Sequence, residues 1–352
     1  MISVLAWVRA EARRGISPVN WYRAYGPLTW LQEKRPKNFH IQVFDREEVM
    51  QMTVEQFEGW DIYFSSRFYS NQGLNEFVNA IHGNGGKIVF DTDDDLSGAT
   101  RAFERGDEFQ DMLARGCDLV TVSTPYLADV VAQYTDKPIK VLPNHLDIAH
   151  WKNVSLRAGR DPQITGISVG LVGTSSHQND WIYPVEALNR LALEYEDRVT
   201  IVVGGFFPDY LKDIPNCVAI QPMQYHAYPK MVRQFDIVCC ALDPDDKFNL
   251  SKSAIKSLES MAAARVLPSG KIGGAVPVCT NMPVYRRAVN HRHNGLLVEN
   301  TDWYEALKLL IEDEQLRTKL SIQGHKWVCK NRDLATGCLK WGKVLQDLHN
   351  LE

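Results

Sequence analysis

The stretch Asn249-Leu-Ser-Lys-Ser-Ala-Ile-Lys-Ser-Leu-Glu259 follows an apolar segment, Asp236-Ile-Val-Cys-Cys-Ala-Leu242, and a short polar loop. This order predicts a buried strand, a loop and a helix over about residues 251–264, which together form one βα unit. Ser251 or Ser253 is expected to cap that helix with its hydroxyl oxygen. The free amides of the first helical turn then form an anion-binding site.

Two lysines and one glutamate recur along this predicted helix. Lys252, Lys256 and Glu259 follow the i, i+4, i+7 spacing, which predicts that all three lie on one helix face. Amides and lysines suit the phosphates of a nucleoside diphosphate, and a carboxylate suits the ribose hydroxyls. A solvated Lys-Lys-Glu face on a surface helix explains the same spacing equally well.

Short β-branched runs alternate with segments of helical periodicity along the whole chain. This pattern predicts βαβ crossovers on parallel sheets, and therefore an α/β protein of two successive doubly wound domains. The predicted strands are 2–8, 41–45, 61–65, 87–91, 118–123 and 139–142, then 167–172, 199–203, 217–220, 236–241, 275–279 and 295–298. The predicted helices are 18–34, 73–84, 101–115, 125–134, 182–195, 226–234, 251–264, 302–312, 314–329 and 335–350. Ser17 is expected to cap the first of them, with Pro18 at its first position.

The composition is that of a folded and nearly neutral protein. The chain has 352 residues, of which 45% are hydrophobic and 23% charged, and its formal net charge is -4. This length suggests two domains, and the composition excludes disordered and fibrous classes. The charge gives no overall attraction to nucleic acid, although residues 1–35 hold a local basic cluster of Arg9, Arg13, Arg14, Arg23, Lys34 and Arg35.

Cysteine usage and hydropathy indicate the compartment. Seven cysteines are an odd number and show no C-x-x-C spacing, which favours a reduced, cytoplasmic environment. The apolar start, Met1–Val8, predicts a first strand because a basic segment and a cleavage site are both lacking. No run approaches the ~18 apolar residues of a membrane span, so membrane insertion is not expected.

A second candidate site is Gly170-Leu-Val-Gly-Thr-Ser-Ser-His-Gln-Asn-Asp180, at the end of the first strand of the second predicted domain. Doubly wound sheets bind ligands beyond the carboxyl ends of their strands. Gly173 permits close backbone approach, Thr174 and the two serines after it supply hydroxyl groups, and His177 supplies a potential cation. A plain strand–helix connection capped by Asp180 is the alternative.

Five short segments before, within and after the predicted helix 251–264 follow one another in a fixed order along the chain. These are Pro143-Asn-His-Leu-Asp147, Lys256-Ser-Leu-Glu-Ser-Met-Ala262, Val276-Pro-Val-Cys-Thr280, Asn294-Gly-Leu-Leu-Val298 and Asp302-Trp-Tyr-Glu-Ala-Leu307. In these segments the chain resembles the GT-B glycosyltransferases, especially the retaining family 4 type. The resemblance implies two Rossmann-like domains that face each other across a cleft. It also implies transfer of a sugar from a nucleoside diphosphate donor, most often UDP-linked, to an acceptor hydroxyl.

The resemblance assigns the parts of the chain. Residues 1–150 would form the acceptor-side domain and residues 151–166 a linker. Residues 167–330 would form the nucleotide-sugar domain, and residues 331–352 a helix that returns toward the first domain. The acceptor would be a glycan or, as in phage DNA glucosyltransferases, a modified DNA base.

The resemblance also implies which residues form the site, and no cofactor is required. The donor-binding residues would be Gly173, Thr174, Ser251, Lys252, Ser253, Lys256 and Glu259, with His177 as a further catalytic candidate. The acceptor-side residues would be Gly15, Ser17, Asp94 and Asn144. Glu259 matches the second of two family glutamates, but Ser251 stands where the first is expected. The donor sugar, the stereochemical outcome and the oligomeric state stay open.

An acidic segment, Ile88-Val-Phe-Asp-Thr-Asp-Asp-Asp-Leu96, follows a predicted strand of the first half. In the GT-B interpretation, Asp91 or Asp93 is a candidate general base for the acceptor. The Asp-x-Asp pattern also resembles the metal-binding signature of GT-A glycosyltransferases and the first motif of haloacid dehalogenase-type phosphatases, and its carboxylates could hold Mg²⁺. The alternatives are therefore a Mg²⁺-dependent phosphotransferase or phosphatase that uses Asp91 and Asp93, and a nucleotide-sugar-binding protein without catalysis.

Overall fold

The computed structural model describes residues 1–8, 17–67, 73–98 and 105–351. The chain divides into two units. The first unit contains Met1–His145, Asp246–Ser253 and Leu334–Glu352, and the second contains Leu146–Asp245 and Ala254–Asp333. The backbone therefore passes between the units four times, after residues 145, 245, 253 and 333.

A parallel sheet of six strands forms the centre of the first unit. Its strands are β1 (Ile2–Val8), β2 (Phe39–Asp45), β3 (Ile62–Ser66), β4 (Lys87–Thr92), β5 (Leu119–Val122) and β6 (Ile139–Val141). They lie in the order β2-β1-β3-β4-β5-β6. Because the order of strands reverses between β1 and β3, ligands of such a sheet are expected at the carboxyl ends of these strands and their neighbours.

The second unit is built on a second parallel sheet. Its strands are β7 (Ile167–Gly173), β8 (Val199–Gly205), β9 (Cys217–Ile220), β10 (Ile237–Cys240), β11 (Arg265–Val266), β12 (Ile272–Gly273), β13 (Val276–Thr280) and β14 (Leu296–Val298). Six of them lie in the order β14-β13-β10-β7-β8-β9, and β11 pairs with β12 in an antiparallel hairpin. The order reverses here between β7 and β10.

Helices connect the strands of both sheets. In the described residues they are α1 (Pro18–Asn20), α2 (Gly26–Lys34), α3 (Arg46–Met50), α4 (Val54–Phe57), α5 (Leu74–Gly83), α6 (Gly106–Arg115), α7 (Pro125–Val131), α8 (Ile148–Arg157), α9 (Ile182–Tyr195), α10 (Tyr228–Val232), α11 (Lys247–Ser251), α12 (Ile255–Ala262), α13 (Pro283–Arg286), α14 (Trp303–Glu312), α15 (Glu314–Asn331) and α16 (Leu334–His349). A π-helical turn, Trp21–Tyr25, joins α1 to α2. The predicted cap is confirmed, because the Ser17 hydroxyl accepts a hydrogen bond from the Asn20 amide at 3.2 Å.

Apolar periodicity explains how these helices cover the sheets. In α5 the buried residues Leu74, Val78 and Ile81 follow the i, i+4, i+7 spacing of one helix face. The strands beneath are buried on both faces, as β3 and β4 show by their nearly continuous burial. This pattern is typical of parallel sheets covered by helices on both sides, and it confirms the predicted α/β class.

All twelve predicted strands form, but the helix predicted over 251–264 is shorter: it begins only at Ile255, as α12 (Ile255–Ala262). Residues 252–254 separate α11 from α12, and Lys252 has an extended backbone with ψ 159°. The cause is a competing local structure: Asp246 caps α11 by accepting from the Phe248 amide, and the Ser251 hydroxyl donates to the Phe248 carbonyl at 2.7 Å. These two bonds stabilise α11 as a separate short helix that competes with the continuous one.

The structure also differs from the sequence prediction in the segment expected to be an irregular linker. Residues 148–157 form α8, whose cap is Asp147, with its carboxylate accepting from the His150 amide at 2.9 Å. Trp151 of this helix is fully buried. The helix is thus held by its cap and by the burial of Trp151, although its apolar periodicity is weak.

Among the helices of the described ranges, none is both long enough and apolar enough to cross a membrane.

Asp236, just before β10, connects several parts of the second unit. Its carboxylate pairs with the guanidinium of Arg265, lies 3.2 Å from Nη2 of Arg160, and accepts from the Ser168 amide at 2.9 Å. Burial alone would raise the pKa of Asp236, but the two arginines and the Ser168 bonds lower it to about 2. A folded-state pKa below the unfolded value means that the ionised carboxylate stabilises the fold.

We predict that Asp236→Asn lowers the free energy of unfolding by about 3 kcal/mol at pH 7, because it leaves the buried guanidinium of Arg265 without its carboxylate. The difference from wild type should be full above about pH 4 and should shrink as pH falls toward 2. Urea unfolding of both proteins at several pH values measures this difference in the free energy of unfolding. Asp209→Asn is the control, because Asp209 forms an exposed ion pair with Lys212, and an equal loss in that variant would contradict the assignment.

Candidate functional site

Asp91, at the carboxyl end of β4, lies in a fully buried ion pair with Arg23. Arg23 Nη2 donates to Oδ1 at 2.6 Å and Nε donates to Oδ2 at 3.1 Å, so both carboxylate oxygens are engaged. The Thr121 hydroxyl on β5 also donates to Oδ1, at 2.6 Å. Asp91 therefore acts as the counter-charge of a buried arginine, and these contacts do not favour it as the general base.

Asp93 and Asp94 share one guanidinium, that of Arg67. Arg67 Nη2 lies 2.9 Å from Asp94 Oδ2 and Nη1 lies 3.4 Å from Asp93 Oδ1. Burial, the largest cause, and the neighbouring Asp94 carboxylate raise the pKa of Asp93 to about 6, against the lowering effect of Arg67 and Arg23. A carboxyl with a pKa near 6 can accept a proton at neutral pH far better than an ordinary aspartate.

Asp95 completes the acidic loop and is bonded locally. Its Oδ1 accepts from the Ser97 amide at 3.0 Å and from the Ser97 hydroxyl at 2.6 Å. In the described part of the chain, no group of three or more His, Cys, Asp or Glu side chains is arranged to hold a metal ion. The burial of Asp91 and its pairing with Arg23 do not favour the phosphatase alternative, because that reaction needs an accessible nucleophilic carboxylate.

The segment between α11 and α12 places its residues differently from the prediction. Ser251 is buried and its carbonyl accepts from the Thr124 hydroxyl at 3.0 Å. Ser253 accepts a hydrogen bond from Asn144 Nδ2 at 3.0 Å. Neither Ser251 nor Ser253 caps the helix as predicted, because Ala254 occupies the N-cap of α12.

The three charged residues of the quoted stretch do not lie on one helix face. Lys252 follows α11 in the first unit, near the ring of Phe248, whereas Lys256 and Glu259 are in α12 of the second unit. Lys256, and not Lys252, therefore belongs to the first turn of the helix. The i, i+4, i+7 spacing would place the three residues on one face of a continuous helix. The break at residues 252–254 removes Lys252 from that helix.

Lys256 and Glu259 form a compact network with Tyr228 of α10. The Lys256 ammonium lies 3.0 Å from Glu259 Oε2 and 2.9 Å from the Tyr228 hydroxyl, which donates to the same Oε2 at 2.9 Å. The Glu259 side chain is 1% exposed and that of Lys256 is 20% exposed. Burial works against the ammonium charge, but Glu259 and Tyr228 outweigh it and raise the pKa of Lys256. The lysine is thus a fixed cation that still reaches solvent.

The loop after β7 forms a second network at the carboxyl edge of the second sheet. His177 Nδ1 lies 3.0 Å from Asp180 Oδ2, and the His177 ring stacks on Trp181. Asp180 Oδ1 accepts from the Asp243 amide at 2.9 Å, and Asp243 accepts from the Tyr183 hydroxyl at 2.7 Å. These contacts join the loops after β7 and β10, between which the strand order reverses.

Gly173 and Gly205 make close approach possible at this edge. They pair across β7 and β8, and Gly205 has φ +95°, a conformation that favours glycine. A Cβ on Gly205 would lie 2.2 Å from the Gly173 carbonyl oxygen. Next to them the Thr174 and Ser176 hydroxyl oxygens lie 2.8 Å apart. The backbones of β7 and β8 therefore pack so closely at Gly205 that a larger residue would not fit there.

The predicted acceptor-side residues have different outcomes. Gly15 lies outside the described residues. Ser17 caps α1, and Asn144 is buried, with its Oδ1 accepting from Arg23 Nη1 at 3.0 Å. Asp94 pairs with Arg67, as described above. Their roles toward an acceptor stay predictions.

Four site residues were missed by the sequence analysis: Arg23, Arg67, Thr121 and Tyr228. Arg67 directly follows a β-strand, a position from which side chains reach the ligand edge of a parallel sheet. Arg23 stands among the apolar residues of the first helical segment, a signal that a buried counter-ion is needed. Thr121 and Tyr228 carried no signal, because hydroxyl-bearing residues are common in strands and helix starts.

Protein-family profiles and curated protein sequences were compared with the chain, and none matches. Solved structures match it over nearly its whole length. HepE from Anabaena, solved with UDP and glucose and with UDP-glucose, has a TM-score of 0.66 at 14% identity and covers 99% of this chain and 100% of its own. Sucrose-phosphate synthase from Thermosynechococcus elongatus has a TM-score of 0.66 at 12% identity, with 98% and 99% covered. A glycosyltransferase from Rickettsia africae ESF-5 has a TM-score of 0.67 at 10% identity, with 100% and 99% covered.

These similarities concern the fold. The α/β chain, with its two parallel six-stranded sheets, has the fold of GT-B glycosyltransferase structures, as predicted.

Proposed function

We propose that the protein is a glycosyltransferase that takes a hexose from a UDP-linked donor and transfers it to an acceptor hydroxyl. The observation that carries this proposal is the Lys256–Tyr228–Glu259 network, in a unit whose fold is shared with proteins solved in complex with UDP and UDP-glucose. A fixed cation at the start of a helix is suited to the charge of a diphosphate.

Lys256 is the proposed diphosphate contact of the donor site. It lies in the first turn of α12, and Glu259 and Tyr228 hold its ammonium in one position. The leaving diphosphate gains negative charge as its bond to the sugar breaks, and a pre-positioned cation stabilises that charge without a required metal. The deep burial of Glu259 favours a role in orienting Lys256, and its predicted contact with the ribose stays a prediction.

Asp93 is the proposed general base. In the transfer step the acceptor hydroxyl gives its proton to the Asp93 carboxylate while its oxygen forms the bond to the anomeric carbon. The bond from that carbon to the diphosphate oxygen breaks, and the electron pair leaves with the diphosphate. Protonated Asp93 then returns the proton to water. His177, held by Asp180, is the remaining catalytic candidate and would contact the donor.

A glycan is the proposed acceptor class. The alternative of a modified DNA base depended on the basic cluster of residues 1–35, and the structure weakens that argument. Arg23 of this cluster is fully buried and committed to Asp91, so its charge does not reach a phosphate backbone. Because Ser251 stands where the retaining family 4 type has a glutamate, membership of that type stays a proposal.

We predict that Lys256→Met weakens UDP binding about 10- to 100-fold, because a charge-assisted contact contributes roughly 1.5–3 kcal/mol. Isothermal titration with UDP, with and without EDTA, measures it, and chelation should leave the wild-type affinity unchanged. Lys230→Met is the matched control, since Lys230 is an exposed lysine on α10. Wild-type affinity in Lys256→Met, or an equal loss in Lys230→Met, would refute the donor assignment.

We predict that Asp93→Asn slows transfer from UDP-glucose by about 10²- to 10⁴-fold, the usual contribution of a positioned base. UDP affinity should stay within about twofold if, as proposed, the second unit holds the donor.

The Asp93→Asn variant should also be more stable than wild type above pH 6, because the raised pKa of Asp93 means that ionising this carboxyl opposes folding. This gain should disappear as pH falls below about 4.

Asp91→Asn serves as the contrasting variant. It leaves a buried Arg23 without its carboxylate and should reduce the free energy of unfolding by about 3–5 kcal/mol. Thermal melts at pH 5 and pH 8 separate the two aspartates. If Asp91→Asn keeps full stability and loses transfer, the roles of the two residues are exchanged.

A further inference from the structure

Arg67 lies at the carboxyl end of β3, beside the loop that contains Asp93. Ser66 pairs with Asp91 across β3 and β4, and the Arg67 amide donates to the Asp91 carbonyl at 2.9 Å. Arg67 is therefore fixed through its backbone to the strand from which the acidic loop begins.

The Arg67 guanidinium joins two carboxylates of that loop. It is 2.9 Å from Asp94 and 3.4 Å from Asp93, and the Asp93 side chain is only 10% exposed. Within the residues that the structure describes, the buried Asp93 Oδ1 has no hydrogen-bond partner. The attraction of Arg67 is therefore the direct compensation for charge at this oxygen.

The Arg67 backbone is in the left-handed region, with φ +55°. Residues other than glycine rarely adopt this conformation, and such positions cluster at functional sites. A glycine here would relieve the strain but would remove the guanidinium that Asp93 and Asp94 share.

Burial is the largest cause of the raised pKa of Asp93, which lies at about 6. Among the residues that the structure describes, four charged groups also act on Asp93: Asp94, Arg67, Arg23 and Asp91. Arg23 is committed to both oxygens of Asp91, so these two charges largely cancel. Of the other two charges, Asp94 opposes ionisation of Asp93 and Arg67 favours it.

We propose that Arg67 is a positioning residue of the transfer reaction, which orients Asp93 and extends to lower pH the range in which Asp93 can take the acceptor proton. Asp94 has the opposite electrostatic effect on the same group. This inference rests on the function proposed above. It assigns to Arg67 no contact with either substrate.

The test compares Arg67→Met with Asp94→Asn in UDP release from UDP-glucose, with water as the acceptor, between pH 4.5 and 9. In wild type the rate should rise with pH to a plateau, with a midpoint near 6. A neighbouring charge moves a pKa by roughly 1–3 units, so Arg67→Met should move the midpoint up by about that amount. Asp94→Asn should move it down. ¹³C NMR titration of the Asp93 carboxyl, assigned with Asp93→Asn, should show the same two directions.

Two further variants complete the test. Arg67→Lys should return the midpoint most of the way to wild type, because the positive charge is restored. Arg105→Met, which removes an exposed arginine paired with Glu108, should not move it. Should Arg67→Met fail to fold, Arg67→Gln replaces it as the variant expected to raise the midpoint, and Asp94→Asn still gives the downward shift.

The outcomes separate the two proposals. If wild type releases UDP but neither variant moves the midpoint, or if both lower the rate equally at every pH, Arg67 supports the structure only and this inference is overturned. If wild-type protein releases no UDP with water or with a panel of sugars as acceptor, the proposed function itself fails.

Discussion

The buried ion pair between Arg23 and Asp91 is the interaction on which the first unit depends. Two full charges without solvent contact are tolerated only when they satisfy each other, and here one guanidinium engages both carboxylate oxygens. Through its remaining nitrogen, Arg23 also donates to the Leu142 carbonyl and to Asn144. One side chain thereby connects the first helical segment, the centre of the sheet and the end of β6.

The same pair has an electrostatic consequence for its neighbour. Because a dedicated cation balances the Asp91 charge, Asp91 adds little to the effects of burial and of Asp94, which raise the pKa of Asp93 to about 6. The second unit also contains an ion pair with a buried member, in which the Glu259 carboxylate holds the partly exposed Lys256 cation in position.

The fold could be predicted from the sequence because it follows from a local signal repeated twelve times. Each β-branched run bounded by turn residues became a strand, and alternation with helices left parallel sheets as the architecture. The site was less predictable. The helix break at residues 252–254 depends on hydrogen bonds made by Asp246 and Ser251, and helical spacing does not report these. The burial of Asp91 and its pairing with Arg23 are contacts 68 residues apart in the chain, which spacing within one segment cannot reveal.

The division of the chain has a consequence for biosynthesis. The first unit is completed only by α16, whose Trp341 packs against Phe64 and lies under the guanidinium of Arg23. The ribosome therefore synthesises the whole second unit before it synthesises α16, the last helix of the first unit. Domains usually fold in the order in which they are made. Here part of the apolar surface of the first sheet stays uncovered until α16 has been made. The first unit is therefore begun first and completed last.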